Sequence, residues 1–246
     1  MKRWFSSALA VVVLIAAARP AAASAALPIL PARFLPGDTA PDTMTGSQDG
    51  VSVASGGSIS LAAWSDGRAV MDETATGRDI YAMRLDESGN PLDARPLVVT
   101  QAPADQTAPL VVWNGENWLV VWSDYGVGGT GYYASTVRAA RVSPAGAVLD
   151  TTPITVFGGG TSSITLFTAA ADVDTGNWAV ISQGSSAGDN DMVGLRIGPD
   201  GSKLDVAPVV ILRGDYYLRF GFQMAYSGGV YLIAWLAISD MEGIRV

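Results

Sequence analysis

Neither cysteine nor histidine occurs anywhere in the 246 residues. Without cysteine there can be no disulfide, thiol nucleophile, thiolate metal site or lipidated N-terminal cysteine, so stability has to come from a packed core. Without histidine the side chain that titrates nearest neutrality is missing, and His-based triads and the usual zinc sites are excluded. Carboxylates, Tyr, Lys, Arg, Ser and Thr remain for chemistry. Positive charge is also scarce, with 15 Lys and Arg against 23 Asp and Glu and a net charge of −8. No basic stripe is present, so a phosphate backbone would be repelled and no nucleic-acid partner is expected.

Long apolar runs are missing too, except at the start. Lys2 and Arg3 precede an uncharged stretch of 11 residues from Ala8 to Ala18, and Ala23-Ser24-Ala25 offers an A-x-A cleavage site. This pattern predicts a signal peptide over 1–25 and a secreted, periplasmic or extracellular chain. The run is too short to cross a bilayer, which takes about 20 residues, so no membrane span is expected after cleavage. Loss of Lys2, Arg3 and Arg19 would leave 12 cations against 23 acids, a net charge near −11 over 26–246.

What the chain has in place of these is a repeat. "RLDESGNPLD" (84–93), "RVSPAGAVLD" (141–150) and "RIGPDGSKLD" (196–205) are versions of one segment, with their arginines 57 and 55 residues apart and Arg245 following 49 later. Before each comes a turn and an apolar run: "SGGSISLAAWSD" (55–66), "NGENWLVVWSD" (114–124), "DTGNWAVISQG" (174–184) and "SGGVYLIAWLA" (227–237). Trp64, Trp122 and Trp235 share one position, and Ser182 takes it in the third unit. Each unit parses into four short strands, A to D, separated by Gly-, Asn-, Asp- and Pro-containing turns. No segment beyond the leader carries the 3.6-residue period of an amphipathic helix.

Strand B selects the architecture. "WLVVW" has no polar residue on either side, so both faces of its sheet have to be covered, whereas a two-layer sandwich would alternate apolar with polar. Four-stranded sheets packed face to face around an axis meet that condition, which predicts a β-propeller with blades at about 47–100, 108–157, 166–213 and 221–246. The last unit has strands A, B and C. "LPILPARFL" (27–35) matches the strand-D pattern of "LDARPLVVT", "LDTTPITVF" and "LDVAPVVIL" in its Leu27 and Pro31, with Pro28 where Asp would stand. The expectation is that 27–35 completes the fourth blade and closes the ring; the alternative is an open arc or part of a larger propeller.

The strings "NGENWLVVWSD" (114–124), "DIYAMRL" (79–85) and "GAVLDTTP" (146–153) resemble the repeat of secreted bacterial β-propeller proteins, kelch- or WD-like in architecture. The resemblance covers most of 26–246 and weakens in the third unit. It implies a surface or extracellular propeller of unassigned activity.

Candidate site residues follow from position. Loops at one mouth of a propeller are its usual ligand platform. Asp66, Arg68, Asp79, Asp124 and Tyr125 stand where strand B leaves for its longest loops and where strand C begins, and are the expected ligand-binding residues. The Arg–Asp pairs nine apart (84/93, 141/150, 196/205) read as ion pairs repeated in each blade, since an active site is not copied into every blade. "DVDTGN" (172–177) fails as a calcium loop because its twelfth position is Gln183 and not Glu, and it reads as a turn. Asp189 and Asp191 remain weak Ca²⁺ candidates; no other cofactor is expected. Trp113, Trp118 and Trp178 read as core and not as a sugar platform. The expected function is a non-enzymatic module binding an extracellular protein or glycan. The alternative is a sialidase-like propeller glycosidase, for which Arg68, Glu73, Arg78 and Tyr125 are the available residues.

Overall fold

Each of the first three repeats folds into the four strands its sequence predicts. The computed structural model describes residues 48–67, 77–126, 136–158, 166–183, 191–213 and 222–235. Blade one consists of β1 (Gln48–Gly56), β2 (Ile59–Asp66), β3 (Asp79–Leu85) and β4 (Leu97–Thr100), hydrogen-bonded in that order. Blade two is β5 (Gln106–Trp113), β6 (Trp118–Asp124), β7 (Thr136–Val142) and β8 (Ile154–Gly158). Blade three is β9 (Leu166–Asp172), β10 (Asn177–Gln183), β11 (Met192–Ile197) and β12 (Val209–Leu212). The fourth sheet contributes β13 (Phe222–Ser227) and β14 (Val230–Trp235). Every pairing is antiparallel, and no helix occurs among the described residues.

The second strand of each complete blade is buried on both faces, as its composition requires. Trp118, Val120 and Trp122 pack toward blade one against Leu61, Ala63, Ile80 and Ala82. Leu119 and Val121 point the other way, into a cluster with Trp178, Val180 and Leu195 of blade three. A two-faced apolar strand is therefore stable only between two other sheets, and the fold is an all-β propeller of four-stranded blades. The tryptophans also tie one blade to the previous one. Trp118 Nε1 donates to the Ala54 carbonyl (3.0 Å) and Trp178 Nε1 to the Val112 carbonyl (3.2 Å), so the indole crosses the seam to an innermost strand. Trp113, half-buried, stacks at a tilt on Trp118 with ring centroids 4.8 Å apart. These residues are core, as expected.

The first strands, β1, β5, β9 and β13, are neighbours from blade to blade and line the axis. One end of the blades, called the mouth, gathers the starts of the first and third strands, the ends of the second and fourth, and the loops between them. The opposite end, the base, carries the tight turns. "DVDTGN" lies there: Gly176 N donates to the Asp172 carbonyl (2.8 Å), making the turn that closes β9 onto β10. The leader 1–25, the segment 27–35 and its expected partner 243–246 lie outside the described residues.

Candidate functional site at the mouth

Two adjacent blades bring their carboxylates to the mouth by the same register, because strand lengths match across each sheet. In blade one Gln48 opposes Asp66, and Asp66 opposes Asp79. In blade two Gln106 opposes Asp124, and Asp124 opposes Thr136. Both innermost strands then bulge, between Asp49 and Ser52 and between Thr107 and Leu110. A bulge turns the strand and re-aims its side chains, a device common beside active sites.

The backbone here is under strain. Ala104 (φ 73°) and Ala108 (φ 53°) are the non-glycine residues with positive φ among the described residues, and both belong to this end of blade two. A left-handed alanine costs about 1–2 kcal/mol, and strain of this kind gathers at functional sites. The strain is held in place by hydrogen bonds. Gln106 N donates to the Arg78 carbonyl (2.7 Å), Arg78 N to Asp105 Oδ1 (2.9 Å) and Tyr125 N to the Asp105 carbonyl (3.0 Å). Gly77 lies so close to this loop that a Cβ on it would stand 2.5 Å from the Ala104 carbonyl oxygen. Ser65 Oγ adds a link from blade one, donating to the Gln106 carbonyl (2.9 Å).

The residues expected to bind a ligand divide by burial. Asp66 and Asp79 are fully buried. Asp66 Oδ2 accepts from Trp64 Nε1 (3.0 Å) and Gln48 Nε2 (3.1 Å), and Asp79 Oδ1 accepts from Ala102 N (3.3 Å). Asp124, also buried, is ion-paired with Arg138, whose Nε lies 2.6 Å from Oδ2 without hydrogen-bond alignment, and its Oδ1 accepts from Gly126 N at 3.0 Å. Tyr125 is half-buried. Arg68 and Glu73 lie outside the described residues. Of the calcium candidates, Asp191 stands half-buried just before β11 and Asp189 lies outside the described residues. No group of three or more acidic side chains close enough to hold a metal ion occurs among the described residues.

Four residues that count here were not anticipated from sequence: Asp49, Asp105, Gln106 and Arg138. Asp49, on the innermost strand, is half-exposed, and its Oδ2 pairs with Arg78 Nη1 at 3.1 Å. Gln106 is fully buried; its amide nitrogen donates to the Pro103 (3.4 Å) and Ala104 (2.9 Å) carbonyls, which leaves Oε1 without a donor. Trp122 Nε1 is likewise buried without an acceptor, since Arg138 holds the carboxylate that its counterpart Trp64 uses in blade one. A repeated Gln two residues before a Gly or Ala, "QDG" (48–50) and "QTA" (106–108), was the available signal for this cluster.

No protein-family model matches the chain, and no curated protein does. Among solved structures it is similar to an exo-β-1,3-galactanase from Phanerochaete chrysosporium, with TM-score 0.50 and 12% identity over 78% of this chain and 44% of that one. It is also similar to a GH43 endo-arabinanase from Bacillus licheniformis (TM-score 0.45, 15% identity, 81% of this chain and 67% of that one). An α-L-arabinofuranosidase from Lactobacillus brevis gives 0.45 and 11%, over 82% of this chain and 70% of that one. The chain spans under half the length of the galactanase. At 12% identity the likeness to the galactanase is one of fold.

Proposed function

We propose that this propeller acts on saccharides at its mouth and cleaves a glycosidic bond there. The observation that carries the reading is the position of Asp49: a solvent-reaching carboxylate on an innermost, bulged strand, oriented by Arg78 and set beside a strained loop. Glycoside hydrolysis needs two carboxyl groups flanking the bond, one to activate water or attack and one to protonate the leaving oxygen. Asp49 suits the first role, since the guanidinium fixes the carboxylate and leaves it reachable from solvent. Glu73, which falls between β2 and β3 in the sequence, is the sequence candidate for the acid. The fold likeness to a galactanase, with its β-1,3-galactotriose complex, makes β-galactosidic oligosaccharides the first substrates to try.

A panel of chromogenic glycosides and β-1,3-galacto-oligosaccharides, assayed with the protein and with Asp49→Asn and Glu73→Gln, tests this. Turnover lost about a hundredfold or more in either variant, as removal of a general acid or base does, supports hydrolysis. A second reading, a non-catalytic saccharide-binding module, rests on the engagement of the mouth carboxylates Asp66, Asp79 and Asp124 by the protein's own donors. Glycan binding without turnover would select it.

A further inference from the structure

Blades one and two are joined at the base without help from the mouth. Arg84, gripped by Asp93 of its own blade (Nε to Oδ1, 3.0 Å), donates from Nη1 to the Pro144 carbonyl of blade two (2.7 Å). Its guanidinium lies over Gly146, where a Cβ would stand 2.8 Å from Cζ. Arg141 repeats this toward blade three: Asp150 holds it, Nη1 donates to the Pro199 carbonyl (2.8 Å), and a Cβ on Gly201 would meet its Nε at 2.9 Å. Trp118 adds a further bond across the first seam. The contacts between blades one and two at the mouth come on top of these, and they converge on Arg78 and Asp49.

Residues 105 and 106 hold Arg78 at both ends of its backbone. Asp105 Oδ1 accepts from Arg78 N (2.9 Å), and Gln106 N donates to the Arg78 carbonyl (2.7 Å). An arginine fixed at its N–H and its C=O launches its side chain from one place, and Arg78 Nη1 meets Asp49 Oδ2 at 3.1 Å although both side chains reach solvent. Asp49 is also set from behind, since a Cβ on Gly50 would stand 3.3 Å from Pro109 Cδ and 3.5 Å from Ala108 Cα. The gripping segment is itself shaped by Gln106. Its amide nitrogen bonds the Ala104 (2.9 Å) and Pro103 (3.4 Å) carbonyls, which closes a turn with Ala104 in a left-handed conformation that alanine resists. Ser65 Oγ anchors Gln106 in turn through its carbonyl (2.9 Å). The strand position does not dictate this use of the amide: Gln48, in the same register of blade one, gives its amide to Asp66 Oδ2 (3.1 Å). Gln106 Oε1 is left buried without a donor, which an apolar side chain of the same shape would avoid. What the nitrogen holds accounts for a polar residue there.

We propose that Gln106 is a positioning residue: it closes the 103–105 turn, the turn fixes Arg78, and Arg78 aims the Asp49 carboxylate from the neighbouring blade. Its effect on rate rests on the hydrolytic reading of Asp49, whereas the hold on Arg78 belongs to the free protein and can be measured there. A carboxylate that wanders spends less time in the geometry its reaction needs, so loss of the hold lowers kcat and leaves KM nearly alone.

Two experiments test this. Gln106→Met keeps volume and burial and removes the amide. In amide hydrogen exchange, Arg78 N–H and Tyr125 N–H, whose acceptors belong to Asp105, should exchange several-fold faster in Gln106→Met, while the amides of 119–121 keep parental rates. Adding Ala104→Gly should restore most of the lost protection, because glycine takes the left-handed conformation without being held. Unchanged exchange at Arg78 and Tyr125, faster exchange across all of blade two, or no rescue by Ala104→Gly overturns the proposal. The second experiment is kinetic. On a chromogenic glycoside that the parent hydrolyses, Gln106→Met should lower kcat about tenfold with KM changed less than about twofold, and should cost nothing further in an Arg78→Met background. Losses that multiply, or a parental kcat in Gln106→Met, overturn the proposal. A parent without turnover refutes the hydrolytic reading instead, and the exchange rates then decide whether Gln106 holds Arg78.

Discussion

The two ends of the blades obey opposite rules. At the base the first three blades present the same arginine, aspartate and glycine, and the two seams between them are joined by the same hydrogen bonds. At the mouth each blade solves the same position differently. Asp66 is satisfied by a tryptophan and a glutamine, Asp124 is ion-paired with an arginine, and in the third repeat the sequence has Gly184 at that place. A contact that recurs wherever two blades meet is explained by the meeting. A contact that changes from blade to blade, at the cost of an orphaned indole and a left-handed alanine, needs another explanation, and a ligand is the natural one.

The contrast can be broken most forcefully at the base. Arg141→Ala leaves Asp150 without its partner in a mostly buried setting and opens the seam to blade three, and should cost about 3 kcal/mol in a urea titration. Turnover or binding per folded molecule should stay at the parental level. Asp49→Asn should do the reverse: activity falls about a hundredfold, while stability moves by less than about 0.5 kcal/mol, as for other surface sites. If Arg141→Ala abolished activity in folded protein, the division of labour between the ends would be wrong.

Smaller effects sharpen the comparison within the mouth. Trp64→Phe removes a donor from the buried Asp66 carboxylate and should cost about 2 kcal/mol more than Trp122→Phe, whose indole nitrogen has no partner to lose. Equal losses in the two thermal unfolding curves would mean that packing alone sets both. The smallest effect concerns pH. Arg196 hydrogen-bonds Asp205 and holds its carboxyl below the usual carboxylate range. A depressed folded-state value means stabilisation that is present above the unfolded pKa of about 4 and lost as pH falls through the folded one. Asp205→Asn should therefore flatten the acid side of the stability curve below about pH 4, modestly, since Arg196 is more than half exposed and solvent screens the pair.

The base was legible in the sequence because its parts are close along the chain and repeated: nine residues from Arg to Asp, five from Arg to Gly. The strand order was legible for a related reason, since a run such as Trp118–Trp122 can be stable only with cover on both sides. That Arg84 and Arg141 reach into the next blade was not legible, as the partner carbonyls lie 60 and 58 residues away. At the mouth, position along the strands was legible and burial was not. Asp66, Asp79 and Asp124 do come to one end, but burial, which single-sequence reasoning could not supply, separates them from Asp49. Asp49 itself is exposed by a bulge that depends on the meeting of β1 and β5, where Val111 N donates to Ser52 Oγ (3.0 Å). Contacts made between inner strands leave no periodic trace.

The joint at the base has a direction. At both described seams an arginine is given forward and received on the next blade's turn, so the contact is head-to-tail and has no twofold partner. Units linked in that way can be duplicated or lost without a new recognition surface having to arise, because each of the first three blades carries both the arginine and the receiving glycine turn. The number of blades is then left to the angle between neighbours, and the chemistry of the seam is indifferent to it.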